Sequence, residues 1–425
     1  MKTLDQIAAQ LPGYDPLALR VETAAEFLHQ LVEPITQSES VDLMQALGRV
    51  VACDIISPIH VPAHNNSAMD GYAFAGAQLT PGAALELRVV ATALAGQAPS
   101  QPVAARQCVR IMTGAMLPDG VDTVIPLEMV QLQGETVQVP ADAVCRGDNC
   151  RLAGEDIARG EVALKAGEPI TPAALGLLAS LGVPQVSVLR RLRVAYFSTG
   201  DEILSPNEAP REGAVYDSNR FTMFGLLTRM GIEVIDMGVV RDQPRALEAA
   251  FRSAASRADA IITSGGVSVG DADHTKATMR ALAGGDAGVV FWKIAMRPGR
   301  PMAVGRIGPC LLLGLPGNPV AAMVTFLTLV RPALLRMMGC TSRQTPLLKA
   351  HSLETIRKKA GRTEFQRAVV TTSAQGHLQV RTTGHQGSGI LSSMVQANGL
   401  LVLHHDQGDI AAGDAVDVMM LDGAV

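Results

Sequence analysis

The chain has 425 residues, a formal net charge of −4 and 3% aromatic residues. That length holds about two to four domains and easily buries a core. The slight negative charge argues against general nucleic-acid binding, and so few aromatics argue against a base-stacking platform. The N-terminal MKTLDQIAAQLPGYDP carries no signal-peptide apolar region. Residues 22–33 have helical spacing, with Thr23 a candidate cap, and a second helix is expected over about 41–47. From 57 to 150 short apolar runs alternate with turns at Pro58, Pro62, Pro81-Gly82, Pro99, Pro118, Gly120 and Gly134, the pattern of a β-rich module. At 171–182 Thr171 caps a helix, Pro172 opens it and Gly182 closes it. Packing of this helix with the N-terminal helices would make the β module an insertion into a discontinuous helical domain.

From 193 to 339 strands and helices alternate: RVAYFST, SNRFTMFGLLTRMG, IEVIDMG, PRALEAAFRSAASR and DAIITSGG. This rhythm predicts a mostly parallel sheet with helices on both faces, binding its ligand at loops past the carboxyl ends of the strands. No run of about 20 apolar residues is free of breakers. The nearest, 311–330, is interrupted by Pro316-Gly317-Asn318-Pro319 and reads as buried strand, turn and buried helix. Beyond Gly339, TEFQRAVV, HLQVRTT, GLLVLHH and AVDVMML read as strands of a small C-terminal domain. The expected architecture is multi-domain α/β and β. A discontinuous helical domain spans 15–56 plus 151–188, an inserted β-rich domain 57–150, the α/β domain 189–339, and a C-terminal β domain 340–425. The protein is expected to be soluble and cytoplasmic, without membrane contact.

The chemistry concentrates in residues 261–319. Ser264-Gly265-Gly266-Val267-Ser268-Val269-Gly270 puts small residues where backbone can approach a ligand, and leads into Asp271 and Asp273. Residues 293–306 hold four basic side chains and no acid, and Pro316-Gly317-Asn318-Pro319 forms a third turn. Glycine turns, a cationic cluster and nearby carboxylates together point to an anionic, phosphorylated ligand bound with a divalent cation. Each piece also has a plain reading: a turn, a solvated face, or N-capping by Asp271 and Asp273. The six cysteines (Cys53, Cys108, Cys145, Cys150, Cys310, Cys340) include no CxxC pair, which fits a reducing compartment. A zinc site at Cys145 and Cys150 would lack a second ligand pair. His404 and His405 are adjacent on a predicted strand, so they point to opposite faces and do not share a metal.

SAMDGYA at 67–73, TGA at 113–115, GEDI at 154–157, STGDE at 198–202, SGGVSVGDAD at 264–273, KIAMRPGRP at 293–301 and GLPGNP at 314–319 occur in that order. The set closely resembles the molybdopterin molybdenumtransferase family (MoeA, the gephyrin E domain) over about residues 15–425, and the family's four-domain layout fits the boundaries above. The resemblance implies a molybdenum insertase of molybdenum cofactor biosynthesis. It would take adenylylated molybdopterin and molybdate with a divalent cation, usually Mg²⁺, form molybdenum cofactor and release AMP. It implies an elongated homodimer in which the inserted β domain of one subunit helps form the other's active site. The partners it implies are the molybdopterin adenylyltransferase that makes the labile substrate and molybdoenzyme apo-proteins.

Carried onto this chain, the resemblance makes Asp242 and Asp273 the metal ligands, hard carboxylates suited to Mg²⁺. Lys293, Arg297 and Arg300 would hold phosphate and molybdate, and Gly265, Gly266 and Gly270 would bring N–H groups to the anion. Many relatives have Lys where this chain has Arg297 and Arg300; charge is kept, but a planar fork replaces a point charge. The remaining binding set is Ser264, Ser268, Pro298, Pro301, Pro316, Gly317, Asn318, Arg367 and Ser388. Asp70, Thr113 and Glu202 complete the catalytic set. Alternatives stay open for several. Asp242 could cap the helix starting near Pro244, and Asp70 could bond its own turn. Glu202 could orient water, bind a ribose hydroxyl, contact the pterin or simply be a surface carboxylate, and Asp156 could be structural. A non-catalytic scaffold and a nucleotide-cleaving enzyme indifferent to molybdate are the competing functions.

Overall fold

The structure, a computed structural model, describes residues 2–97, 101–266, 274–285, 287–341 and 345–421. Its contacts divide the chain into two compact units, one of Met1–Glu39, Gly48–Ala52 and Val188–Val425, the other of Ser40–Leu47 and Cys53–Ser187.

In the first unit the strands Ala260–Ser264 (β3) and Cys310–Leu315 (β7) are buried along their whole length. A strand with no exposed face needs cover on both sides, the condition of a parallel sheet sandwiched by helices. With Arg193–Thr199 (β1), Glu233–Val240 (β2), Val289–Lys293 (β4) and Pro301–Ile307 (β6) they form a sheet of order β2-β1-β3-β7-β6-β4. β2, β1, β3 and β7 pair in parallel. β6 runs antiparallel to β7 and to β4, so β4 regains the common direction. Five of the six strands therefore end at one edge.

Side chains alternate between the two faces. Val194 and Tyr196 pack with Leu226, Leu227, Val320 and Val324, whereas Ala195 and Phe197 pack with Leu247, Phe251, Ala254 and Met279. The covering helices are Ser218–Arg229 (α1), Pro244–Arg257 (α2), His274–Leu282 (α3) and Pro319–Met337 (α4). α4 is long and apolar enough by length and composition to cross a membrane, but 67% of its most apolar window is buried, as in a core helix. It widens into π turns at Phe326–Val330, just before Pro332, which has no N–H to donate. Val21–Leu31 packs on its second half. There Phe27 stacks on Tyr14 with centroids 5.6 Å apart and meets Trp292 edge-on at 5.1 Å.

The chain continues through Met296–Arg297 (β5) into Leu348–Ser352 (β8), Thr363–Thr372 (β9), Leu378–Thr382 (β10), Gly399–Leu403 (β11) and Ala415–Met420 (β12). The order β9-β10-β8-β12-β11, with β11 pairing back to β9, closes a barrel and removes its edges. Ala368, Val370, Val380, Leu401, Leu403, Val416 and Val418 fill it. β5 pairs in parallel beside β9, with Arg297 opposite Glu364.

In the second unit a six-stranded sheet runs in the order Thr123–Pro126, Gly71–Phe74, Gln107–Ile111, Leu85–Ala93, Thr136–Val139, Gln131–Gln133. Its core includes Tyr72, Phe74, Leu87, Ile125 and Val137. The helix Pro172–Ser180 starts as expected, with the Thr171 hydroxyl accepting the Ala174 N–H. It packs on Leu43–Gln45 and Val162–Leu164.

Two local expectations are corrected. Residues 41–47 are not a helix but the end of the strand Ser38–Asp42 and one 3₁₀ turn, Leu43–Gln45. The Leu43 N–H donates to the Pro184 carbonyl and the Gln185 amide to Asp42, and so short a segment would not repay helix nucleation. Thr23 is no cap: the helix begins at Val21, with Arg20 in the cap position and no side-chain cap bond.

Two predictions follow from this packing. Phe251 is fully buried against Phe197 at 5.0 Å. Phe251→Ala should cost about 3–5 kcal/mol of stability in chemical denaturation, while exposed Phe224→Ala should stay within about 0.5 kcal/mol. Arg190 grips Asp259 by two bonds of 2.7 Å at the opposite edge of the sheet. Burial pushes the Asp259 carboxyl up, but Arg190, with the Arg193 N–H, outweighs it and holds it below its ordinary value. Its stabilisation is therefore complete above about pH 4 and disappears as pH falls through the depressed value. Asp259→Asn should flatten the acid limb of a thermal-midpoint-versus-pH curve.

Candidate active site at the strand carboxyl edge

The turns after β1, β3 and β7 meet closely. The Gly265 N–H donates to the Leu315 carbonyl at 3.2 Å. Gly265 has φ +90°, and an added Cβ would lie 2.5 Å from the Thr199 carbonyl oxygen. At Gly266, φ +64°, it would lie 2.5 Å from Thr275 Cβ, so neither position accepts a side chain without strain. Asn219 donates to the Gly317 carbonyl at 2.8 Å, drawing the Pro316-Gly317-Asn318 turn toward α1. Pro316 is buried, and Gly317 and Asn318 are exposed. Asn318 occupies the cap position of α4 without a side-chain cap bond, which leaves its amide outward.

A buried hydroxyl network braces these turns from below. The Tyr196 hydroxyl lies 2.6 Å from Ser264 Oγ and 3.0 Å from Ser198 Oγ, and Ser198 donates to Asp217 at 2.9 Å. Burial pushes the Tyr196 phenol far up, so it stays protonated. Ser264 is thus engaged in the support.

The acids lie at the β2 end. Asp242 does not cap α2: Gln243 holds that position without a side-chain bond. Instead, Asp242 Oδ1 accepts the Thr275 hydroxyl at 3.3 Å, and the Asp242 N–H donates to Asp201 Oδ1 at 3.3 Å. Glu202 is exposed, its carboxylate folded over Gly200. Ser268, Gly270, Asp271 and Asp273 lie outside the described residues. Among the described residues no three His, Cys, Asp or Glu side chains gather as metal ligands.

The cations lie toward the β4 end. Lys293 closes β4 opposite Pro301, with its side chain half-buried. Arg297 and Arg300 are exposed, Pro298 between them is buried, and the Ile294 N–H donates to the Arg300 carbonyl at 2.7 Å. β2 and β4 are the two outer strands, so five strand spacings of roughly 4.8 Å separate the acidic end from Lys293, about 24 Å.

Arg367 differs from the expectation of a ligand-facing cation. It is 0% exposed, and its guanidinium donates to Ser393 Oγ and to the carbonyls of His385, Gln386 and Gly387. Its cationic fork is turned inward, where it shapes the barrel loop. The Ser388 carbonyl at the end of that loop accepts the Val320 N–H of α4 at 3.1 Å.

In the second unit Asp70 does not bond its own turn. Its Oδ1 accepts both the Thr113 N–H and the Thr113 hydroxyl at 2.7 Å, bringing together two residues selected from separate motifs. These bonds hold the Asp70 carboxyl below its ordinary value. Asp156 is exposed, its N–H on the Val61 carbonyl.

His404 and His405 have separate partners: Asp417 for the first, Asp406 and Arg20 for the second. All six cysteines are free, and burial pushes Cys108 and Cys310 up to about 12 and Cys150 up to about 11, which leaves them protonated at neutral pH. Sequence reading missed Asp201, Asp217, Asn219 and Thr275. Asp201 sits inside the STGDE motif already noted, so proximity to a motif was the available signal for it.

Family profiles described as the MoeA N-terminal region (domain I and II), a probable molybdopterin binding domain, and the MoeA C-terminal region (domain IV) match residues 19–182, 195–336 and 349–421. A molybdopterin molybdenumtransferase of Haemophilus influenzae is 41% identical over 398 residues, 93% of this chain and 97% of that one. The Nostoc protein of the same name is 33% identical, covering 97% of this chain and 95% of that one. The crystal structure of a molybdopterin biosynthesis moeA protein from Pyrococcus horikoshii OT3 superposes with a TM-score of 0.79 at 27% identity, over 95% of this chain and 99% of that one. The fold at the strand edge, the three profile matches and full-length identity above 40% lead to one assignment: the chain belongs to the molybdopterin molybdenumtransferase family and is an enzyme of molybdenum cofactor biosynthesis.

Proposed function

We propose that this enzyme takes adenylylated molybdopterin and molybdate, cleaves the adenylyl link with a divalent cation, and releases AMP with molybdenum cofactor. The observation that carries this reading is the layout of one sheet edge: the Asp242 carboxylate at one end, Lys293, Arg297 and Arg300 at the other, and close-packed glycine turns between them. An extended ligand with a phosphate-rich link and a heterocycle at each end suits an edge about 24 Å long better than a compact one does.

The residues present fit Mg²⁺ held by one or two carboxylates together with substrate oxygens, rather than an all-protein cage. Asp242 would be the carboxylate within the described residues and Asp273 the second. When bound, the cation would neutralise charge on the bridging phosphate oxygens. Lys293, Arg297 and Arg300 would hold the phosphates and bring molybdate toward the dithiolene. The Gly265 and Gly266 turn and the Pro316-Gly317-Asn318 turn would admit the ligand close to backbone, with Pro298, Pro301 and Ser388 lining the molybdate side. Glu202 would act at the same edge, on water, the ribose or the pterin. Asp70 and Thr113, already joined, would complete a partner subunit's site in a homodimer. We also propose the four-part domain division, a cytoplasmic location, and supply of the labile substrate by the adenylyltransferase.

The test is AMP release from adenylylated molybdopterin by purified protein with Mg²⁺, with and without molybdate. Release that needs molybdate, and yields cofactor able to activate a molybdenum-free apoenzyme, is the expected result. Release indifferent to molybdate would replace this reading with simple nucleotide cleavage, and tight binding without release would favour a carrier. Asp242→Asn should keep the fold and lower turnover by about 100-fold or more, since an amide is a poorer ligand for a hard cation.

A further inference from the structure

Asp242 needs a fixed carboxylate if it is to hold a cation, and its own segment supplies only a backbone bond across it, from the Gln243 N–H to the Arg241 carbonyl at 2.7 Å. It lies in the three-residue turn 241–243 between β2 and α2, and the cap position of α2 makes no side-chain bond. Asp242 itself is held from two neighbouring elements. Its N–H donates to Asp201 Oδ1 at 3.3 Å, and its Oδ1 accepts the Thr275 hydroxyl at 3.3 Å. Asp201 belongs to the turn after β1, the strand beside β2, and its own carbonyl accepts a bond from the Arg211 guanidinium. Thr275 is fully buried in the first turn of α3. The order is therefore Arg211 to Asp201, Asp201 to the Asp242 backbone, and Thr275 to the Asp242 carboxylate.

We propose that Asp201 is a positioning residue of this enzyme: its carboxylate anchors the backbone of Asp242 and so aims the Asp242 side chain at the cation. The inference rests on the reading of Asp242 as a cation ligand. A carboxylate accepting a backbone N–H forms a charge-assisted bond that restrains the direction of that N–H even at the 3.3 Å seen here. Partners that orient a metal ligand typically change metal affinity or activity by about 10–100-fold when removed. Asp201 is exposed, so changing it leaves the core intact.

The experiment compares Asp201→Ala, Asp201→Asn and Asp242→Asn in the full-length protein. Mn²⁺ binding in the presence of AMP is followed by electron paramagnetic resonance, and Mg²⁺ activation of AMP release is measured alongside. Asp201→Ala is expected to raise half-saturating Mn²⁺ by about tenfold or more with an unchanged thermal midpoint. Asp201→Asn removes the same charge but keeps an oxygen acceptor, and should recover most of the affinity. Equal losses in the two variants would overturn the positioning role, because charge alone would then matter. Wild-type binding by Asp201→Ala alongside impaired Asp242→Asn would overturn it too, while leaving the cation at Asp242. Wild-type binding by Asp242→Asn would instead overturn the cation reading on which the proposal rests.

Discussion

Burial of β3 and β7 along their whole length is the constraint on which the rest of the first unit depends. Ile261, Ile262, Leu312 and Leu313 have no exposed surface, and successive residues face opposite helical layers. Such strands are stable only between two layers, and a sheet covered on both faces leaves its edges for chemistry. The polar turns go where the apolar layers end. Tyr196, Ser198, Ser264 and Asp217 mark that boundary: buried hydroxyls bond to one another and to one oxygen of the Asp217 carboxylate directly beneath the turns and stiffen them.

The same constraint separates charges. Asp242 follows one outer strand and Lys293 closes the other, so acid and base do not collapse into an ion pair across the edge. Arg297 lies beside Glu364 through β5 pairing with β9, which ties the cationic hairpin to the barrel. The barrel answers through Arg367, whose buried fork draws the 385–387 carbonyls inward and leaves Ser388 on the N-terminus of α4. Burial pushes the Arg367 guanidinium down, with the nearby Arg297 charge adding to it.

Much was legible in the chain itself. Apolar-rich runs at 260–264 and 310–315, helical spacing between them, and Thr171-Pro172 before an apolar stretch were enough for strand, helix and cap. The site was legible where several motifs kept glycines, acids and bases in fixed order. Where reading failed, the deciding partner was distant in sequence. Residues 41–47 are drawn out of a helix by Pro184 and Gln185.

Sequence by itself determined the family, the strand and helix rhythm of the α/β region, and which turns carry glycine, carboxylate and cation, because periodicity and motif are properties of neighbours along the chain. Only the tertiary structure decided that β6 reverses so that β4 ends at the common edge, that Arg367 faces inward, and that Asp201 rather than a helix cap holds Asp242. Each of these depends on hydrogen bonds and burial between segments tens of residues apart, and such partners are set by packing, not by local pattern.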